Sequence, residues 1–487
     1  MQTFASIFEP ISRILFALAL GWYLIINLQW FSYRFDRLIL RHTKPIWNVV
    51  YLVLPIALFY GLNAYETGVY FWIFFYFAYL PALFLWYRKL DKKLVVTARV
   101  KRYFALLIFA ASLFEATLFM RGESFSGGIL TALVLTLFCS QLLENFLRSR
   151  FKKLASRKLL SRKDLIVIAL TASYGKTSLK HFLYNLLKSR YKVYATPGNV
   201  NTDLGIAKDI NENLPDDAQI YIVEAGARET GDILTIMKMI EPRYSIIGKV
   251  GKQHIEYFKS EENIQKAKKE ALFSPRMIRA LVHQSANAAP NEKIVIFKDS
   301  QIENLKSDLE GTRWDLILGD RKVHLQTPVL GGFNSLNISL AFLAAKELGV
   351  SEEAIVKEIG KLANFEHRLQ PIKTAYKFIL DDSYNGNLEG MLGAIDLCAS
   401  WKGRKVIVTP GIVESDEESN IALAEKINDV FDLALITGAL NADLLCSRID
   451  RDKRKRVFDK RGLEAILQNE TRSGDLILFA NDAPSYV

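Results

Sequence analysis

Apolar residues fall along this chain in two rhythms. Over the first third they run nearly unbroken. Five stretches, roughly 12–32, 46–64, 68–87, 103–121 and 127–147, are each about 20 residues long, enough for a helix to cross a bilayer. From about 160 onward the apolar runs shorten and alternate with helical stretches. Leu165–Leu170, Ile220–Val223 and Tyr244–Val250 read as strands of one parallel sheet with helices between them. A second α/β series follows, with strands at Tyr376–Leu380, Lys405–Thr409, Leu433–Thr437 and Leu476–Phe479. Helices such as Glu389–Ala399 and Asn420–Val430 lie between these strands. Residues 285–330 read as short strands and turns. The predicted fold is therefore an N-terminal α-helical membrane domain of five spans (1–150) followed by two α/β domains (160–369 and 370–487), joined near 365–375.

Charge adds an orientation. The net charge is +11, yet residues 1–163 hold 21 Lys/Arg against 7 Asp/Glu, and the remainder holds 42 against 45. The basicity, +14, thus belongs to the membrane part, while the rest carries −3. It gives the α/β part no argument for binding nucleic acid. Basic clusters follow spans one, three and five: Arg34 to Lys44, Arg88 to Arg102, and Arg148 to Lys158. The loops near Asn63–Thr67 and Arg121–Ser126 are nearly neutral. The positive-inside rule then predicts a multi-pass protein of the cytoplasmic membrane, N-terminus outside and α/β domains in the cytoplasm. Glu115 and Glu144 fall within or near the ends of spans. They suit a functional role, or contact with a neighbouring helix and the basic interface respectively. Cys139, Cys398 and Cys446 show neither metal spacing nor a disulfide framework.

The chemistry-bearing stretch is Thr171-Ala-Ser-Tyr-Gly-Lys-Thr-Ser178, set between the run Leu165–Leu170 and the helical pattern Leu179–Leu187. A strand, a tight Gly-Lys-Thr turn and a helix start make a cradle for phosphate. Backbone N–H groups and the positive helix end point at the anion, and lysine adds a full charge. In this P-loop-type reading Lys176 neutralises the phosphates of ATP and Thr177 holds Mg²⁺, with Ser173, Gly175 and Ser178 completing the turn. The strict G-x-x-x-x-G-K-[ST] spacing fails, since Leu170 stands where its first glycine belongs. An ordinary helix entry therefore stays open on this motif alone. Glu224 ends the strand Ile220–Val223 and His254 follows Tyr244–Val250. Both fall on the rim that carries the turn, as partners for Mg²⁺ or as ordinary structural residues.

Taken together, several segments resemble the Mur ligases. They are the strand–GKT–helix unit, Thr196-Pro-Gly-Asn-Val-Asn-Thr-Asp-Leu-Gly205, Glu224-Ala-Gly-Ala227 and Val250-Gly-x-x-His-x-Glu256. Ala267-Lys-Lys-Glu270, Gly331-Gly-Phe-Asn-Ser-Leu-Asn337, His367-Arg-Leu-Gln370 and Asp381-Asp-Ser-Tyr-Asn-Gly-Asn387 continue the series. The last, with Thr409-Pro-Gly411, is most similar to the MurF branch, which adds D-alanyl-D-alanine to UDP-MurNAc-tripeptide. The resemblance covers about 160–487 and implies an ATP-binding central domain and a Rossmann-like C-terminal domain. It implies a peptidoglycan-precursor ligase that uses ATP and Mg²⁺ and passes through an acyl phosphate. Lys176, Lys268 and His254 would then be catalytic, with Lys268 matching a lysine that can be carbamylated. Thr177, Glu224 and His254 would hold the metal. Asn334, Asn337, Arg368 and Asp382 would face the nucleotide. Asn199, Asn201 and Thr202 would face the muramyl peptide, and Tyr384, Asn385 and Asn387 the incoming dipeptide.

Simpler roles exist for some of these. Lys268 sits in a basic helix and suits a solvated face, Asn334 suits helix capping, and Ser-Tyr-Asn-Gly-Asn is an ordinary loop composition. The match also breaks in places. Ala172 replaces a glycine of the family turn, Tyr174 a small polar residue and Phe333 a common histidine. Five spans occupy the place of the family's soluble UDP-binding domain, so a lipid-linked muramyl peptide is an expected alternative to the UDP-linked one. Two other readings stand beside the first. One is a membrane-anchored paralogue that joins another acid and amine. The other is a membrane scaffold or transport component with a degenerate nucleotide site.

Overall fold

In a computed structural model, residues 2–31, 33, 45–64, 68–90, 93–121, 128–252, 255–384, 386–413, 415–458 and 462–481 are described. The chain forms two compact units, Met1–Arg150 and Phe151–Val487.

The first unit is helical. Among the described residues five helices are long and apolar enough to cross a membrane: Phe8–Trp30, Ile46–Asn63, Gly68–Arg88, Ala98–Arg121 and Gly128–Ser161. The first is the most enclosed, burying Phe16, Leu20, Tyr23 and Ile26. At Gly21 a Cβ would lie 2.4 Å from Leu107, so the missing side chain is what lets Phe8–Trp30 and Ala98–Arg121 approach this closely. The two acids noted within spans are both paired. Arg13 reaches Glu115 at 2.9 Å and Arg102 reaches the buried Glu144 at 2.6 Å, pairings that lower the cost of acids among apolar helices.

The second unit holds three sheets. Strands β1 (Ile166–Thr171), β2 (Val193–Ala195), β3 (Ile220–Glu224), β4 (Tyr244–Ile247), β5 (Arg279–His283) and β6 (Ile294–Phe297) form a wholly parallel sheet, in the order β2-β3-β1-β4-β5-β6. Both faces are covered, so the central strands are apolar throughout rather than alternating. Ile168 and Leu170 of β1 pack against the helix Lys176–Leu187, while Val167 and Ala169 face Ile206, Ile210 and Ile236 on the other side. Each large side chain so buried contributes about 1.5–3 kcal/mol. Ala155 and Leu159, near the end of Gly128–Ser161, join that second face. Residues 285–330 supply β6 and a separate antiparallel sheet of β7 (Ile302–Asp308), β8 (Gly311–Leu318) and β9 (Arg321–Thr327), anchored by buried Trp314.

The last sheet combines β10 (Gln370–Lys373), β11 (Phe378–Asp382), β12 (Lys405–Thr409), β13 (Leu433–Ile436), β14 (Arg454–Arg456) and β15 (Leu476–Ala480). Its order is β10-β11-β15-β12-β13-β14, with only β10 antiparallel. Two strands depart from the sequence expectation. Tyr376 is exposed in a turn closed by Thr374 and Lys377, so β11 starts at Phe378 and runs to Asp382. The strand expected to reach Val250 is regular only to Ile247; beyond it Gly248 N donates to the Thr171 carbonyl and Ser173 N to the Lys249 carbonyl, so the segment runs on beside the Gly-Lys-Thr turn without belonging to the regular strand.

Candidate active site

β1 ends at Thr171, and Ala172-Ser-Tyr-Gly175 turns directly into the helix Lys176–Leu187. Gly175 makes that turn possible. Its φ is +73°, and a Cβ there would stand 2.5 Å from Asn337 Nδ2, so glycine answers both a backbone and a space requirement. Ala172, which replaces a glycine of the expected turn, is not among the residues with positive φ, so alanine fits without strain. Tyr174 packs over Gly251, and burial pushes its hydroxyl up to about 12.

Lys176 folds back on its own turn, donating to the carbonyls of Ala172 (2.9 Å) and Ser173 (3.0 Å). Burial lowers its pKa to about 8 against the pull of Glu224, and Arg368 lowers it further. An anion arriving at the turn would restore its charge. The Ser173 hydroxyl donates to the Gly251 carbonyl and accepts from its N–H, both at 3.0 Å, so its visible task is to tie the turn to the loop after β4. Ser178 is buried on the second cavity described below.

Register places Glu224 beside Leu170, at the C-terminal edge of the sheet. Its carboxylate accepts from Thr177 Oγ1 (3.2 Å) and Asn201 Nδ2 (3.3 Å) and pairs with Lys180 Nζ at 3.0 Å. Lys180 also donates to the Gly198 carbonyl at 2.8 Å, joining the carboxylate to the loop of Asn199 and Asn201. Sequence reading passed Lys180 over. Its signal is its place one helical turn after Lys176, on the same face. Among the described residues no group of three His, Cys, Asp or Glu side chains could hold a metal. The oxygens of Thr177 and Glu224 are of the hard kind that Mg²⁺ takes, and Mg²⁺ commonly draws its other ligands from phosphate and water. His254 and Asn385 lie outside the described residues.

Lys268 is buried, not a solvated face residue. Burial first, then the charge of Lys176, drive its pKa well below the usual lysine value, with Glu224, Asp232 and Glu270 opposing. Glu270, from the same motif, accepts from Gly231 N (2.7 Å) and Leu234 N (3.0 Å) and so fixes the start of the helix Asp232–Ile240.

Two cavities meet at the Gly-Lys-Thr turn. The first, about 920 Å³, brings Lys176, Thr177, Asn199, Asn201, Thr202 and Glu224 opposite Arg368, Tyr384 and Asn387. The second, about 770 Å³, brings Gly175, Ser178, Asn334 and Asn337 opposite Arg368 and Asp382. Asn334 does not cap its helix. Its amide donates to the Leu330 carbonyl and its buried Oδ1 has no partner. Asn337 packs against Gly175. Arg368 lies 4.7 Å from the Tyr384 ring centre, with Nε buried and unpartnered. Asp382 accepts from Leu369 N at 3.2 Å, and burial raises it to about 6 despite Arg368. Thr202 and Asn387 do cap helices, accepting from Gly205 N and Gly390 N, while also lining the first cavity. Among the described residues, Lys249 pairs with Glu389 at 2.6 Å and Asn199 donates to Tyr384, both running from the central sheet's loops to the last sheet's loops.

Comparison with known proteins places this geometry. Residues 170–345 match the Mur ligase middle domain. A UDP-N-acetylmuramoyl-tripeptide–D-alanyl-D-alanine ligase of Bacillus subtilis is 26% identical over 333 residues, spanning 64% of this chain and 72% of its own length. The crystal structure of MurF from Acinetobacter baumannii superposes with a TM-score of 0.61 at 25% identity, over 69% of this chain and 77% of that one. MurF of Thermotoga maritima in complex with ADP shares the fold, with a TM-score of 0.61 at 23% identity over 69% and 80% of the two chains.

Proposed function

We propose that this chain, whose central domain belongs to the Mur ligase family, is a MurF-type ligase of peptidoglycan-precursor synthesis. It would join D-Ala-D-Ala to UDP-MurNAc-tripeptide at the expense of ATP. One observation carries the reading: Lys176, Thr177 and Glu224 face Arg368, Tyr384 and Asn387 across one cleft, with the nucleotide-sized second cavity opening onto the same turn.

The chemistry follows from that placement. The nucleotide enters the second cavity against Asn334, Asn337 and Asp382, its phosphates at Gly175 and Lys176. The acid lies along Asn199, Asn201 and Thr202. Its carboxylate oxygen attacks the γ-phosphorus, the bond to ADP breaks, and an acyl phosphate forms. The incoming amine, held by the loop of Tyr384, Asn385 and Asn387, attacks the carbonyl carbon. The carbon–oxygen bond breaks and phosphate leaves. The protein's share is positioning and charge stabilisation. Lys176 and Arg368 meet the phosphoryl charge. Thr177, Glu224 and His254 would hold Mg²⁺, which neutralises phosphate charge when bound. The neutral amine that burial favours at Lys268 is the form that reacts with carbon dioxide, which suits carbamylation.

The five apolar helices support a multi-pass membrane anchor, and the basic clusters after the first, third and fifth spans favour a cytoplasmic-membrane topology with the N-terminus outside and the ligase domains in the cytoplasm. Domain limits of 1–150, 160–369 and 370–487 accord with this. The same helices favour a second reading, in which the acid is a lipid-linked muramyl peptide presented at the bilayer.

The test is phosphate release by the purified chain with ATP and Mg²⁺, given UDP-MurNAc-tripeptide and D-Ala-D-Ala separately and together. Release only with both supports the reading; release indifferent to both defeats it. Lys176→Ala should abolish turnover with the fold intact.

A further inference from the structure

The wall of the first cavity has an uneven charge economy. Five acids line it, and every one is engaged. Asp203 pairs with Lys152 at 3.0 Å, Glu224 with Lys180 at 3.0 Å and Glu389 with Lys249 at 2.6 Å. Asp232 accepts from the backbone N–H groups of Arg228 and Glu229, and Asp416 caps the helix Glu417–Val430 through Ser419 N. Arg228 lines the same wall, and its guanidinium has no ion pair or hydrogen bond among the described residues.

The loop that carries Arg228 is held firmly. Gly226 N donates to the Asn201 carbonyl at 2.8 Å, Asp232 takes the N–H of Arg228 itself at 2.9 Å, and Glu270 takes Gly231 N at 2.7 Å. The Gly226 bond also sets this loop directly beside Asn201 and Thr202, on the acid-substrate side of the cleft. The backbone beneath Arg228 is fixed while its side chain is exposed and uncommitted, so the guanidinium is placed at the cleft and free to meet an anion, with only its own rotamers left to order. The planar fork matches a carboxylate in two hydrogen bonds. The carboxylate to be activated belongs at the Gly-Lys-Thr turn with Lys176. Arg228 therefore has a different anion to meet on the same substrate.

We infer that Arg228 is a specificity-determining residue that binds a second carboxylate of the acid substrate, one that is not activated. The substrate class is then a peptide acid with at least two free carboxylates. This rests on the ligase reading above.

The test compares two muramyl tripeptide donors, one with its internal carboxylate free and one with it converted to the amide. Phosphate release is followed at saturating ATP and D-Ala-D-Ala, with the full chain in detergent. In the parent protein the amidated donor should show a KM about tenfold higher with kcat little changed, as expected for a contact made equally in ground and transition states. Arg228→Leu should raise the KM of the free acid to that of the amide and erase the difference. Arg228→Lys should keep part of it. Discrimination that survives in Arg228→Leu overturns the inference. So does a parent protein that treats both donors alike, or one that instead discriminates against a donor stripped of its nucleotide diphosphate while ignoring amidation. Release that ignores every acid and amine defeats the ligase reading itself. Release that requires both but disregards the internal carboxylate defeats the inference alone.

Discussion

Replacing Lys180 by methionine puts the construction of the site to a quantitative test. Its ammonium lies 3.0 Å from Glu224 Oε2 and 2.8 Å from the Gly198 carbonyl, with the two side chains 7% and 2% exposed. Methionine keeps the volume and removes the charge. Breaking a buried pair by deleting one partner costs roughly 3–5 kcal/mol, because the other charge is left without compensation. Glu224 retains Thr177 and Asn201, at 3.2 and 3.3 Å. The cost therefore falls at the lower end, about 3 kcal/mol. At roughly 2–4 °C per kcal/mol for a domain of this size, the unfolding midpoint should drop by about 6–12 °C. The assay is a thermal scan of the purified full chain in detergent, followed by intrinsic fluorescence. Lys180→Met/Glu224→Gln removes the stranded charge and should recover most of the midpoint without recovering ligase activity. A single variant that melts with the parent protein, or a double variant as unstable as the single, would refute the reasoning.

Three further outcomes follow from the same site. Lys176 has its pKa lowered to about 8 in the folded protein, so the folded state sheds this proton before the unfolded chain does, and this group's contribution to stability rises with pH between about 8 and the usual lysine value. Phosphates favour the charged lysine, so ADP binding near pH 8.5 should take up protons, read by calorimetry in buffers of different ionisation enthalpy; heats independent of buffer would contradict it. Asp382 is raised to about 6, so the folded state binds this proton more tightly and stability falls as pH rises from about 4 to 6; Asp382→Asn should remove that slope from a pH series of unfolding midpoints. Gly175→Ala forces a side chain into positive φ and against Asn337, costing about 1–2 kcal/mol in backbone strain, and should weaken ADP binding at least tenfold by calorimetry.

Much of the frame was legible because its signals are local. The run Leu165–Leu170 followed by Gly-Lys-Thr marks a strand, a turn and a helix within a few residues, and each is present. Five apolar stretches announced five helices by length alone. The errors at Tyr376 and Val250 share a cause. Both residues are apolar enough to extend a strand pattern, while Thr374 closes a turn before Phe378 and the segment after Ile247 pairs with the phosphate turn instead of with a regular strand. Lys180 was missed because a helical lysine reads as surface until the Glu224 carboxylate is known to lie beside it. Arg228 was missed for the opposite reason, since a cation without a partner is ordinary on a surface and telling only on the wall of a cleft. The loop character of Ser383–Asn387 was legible from composition, but that Thr202 and Asn387 cap helices and also face the cavity depends on where those helices start and how the two sheets come together.

The central claim is that a substrate carboxylate is phosphorylated and then displaced by an amine. Oxygen-18 in that carboxylate follows it directly. With ATP, Mg²⁺, labelled muramyl tripeptide and D-Ala-D-Ala, one labelled oxygen should pass into each inorganic phosphate formed, because the oxygen that attacks phosphorus leaves with it when the amide bond closes. Phosphate that carries its new oxygen from water, with the tripeptide label untouched, would contradict the account.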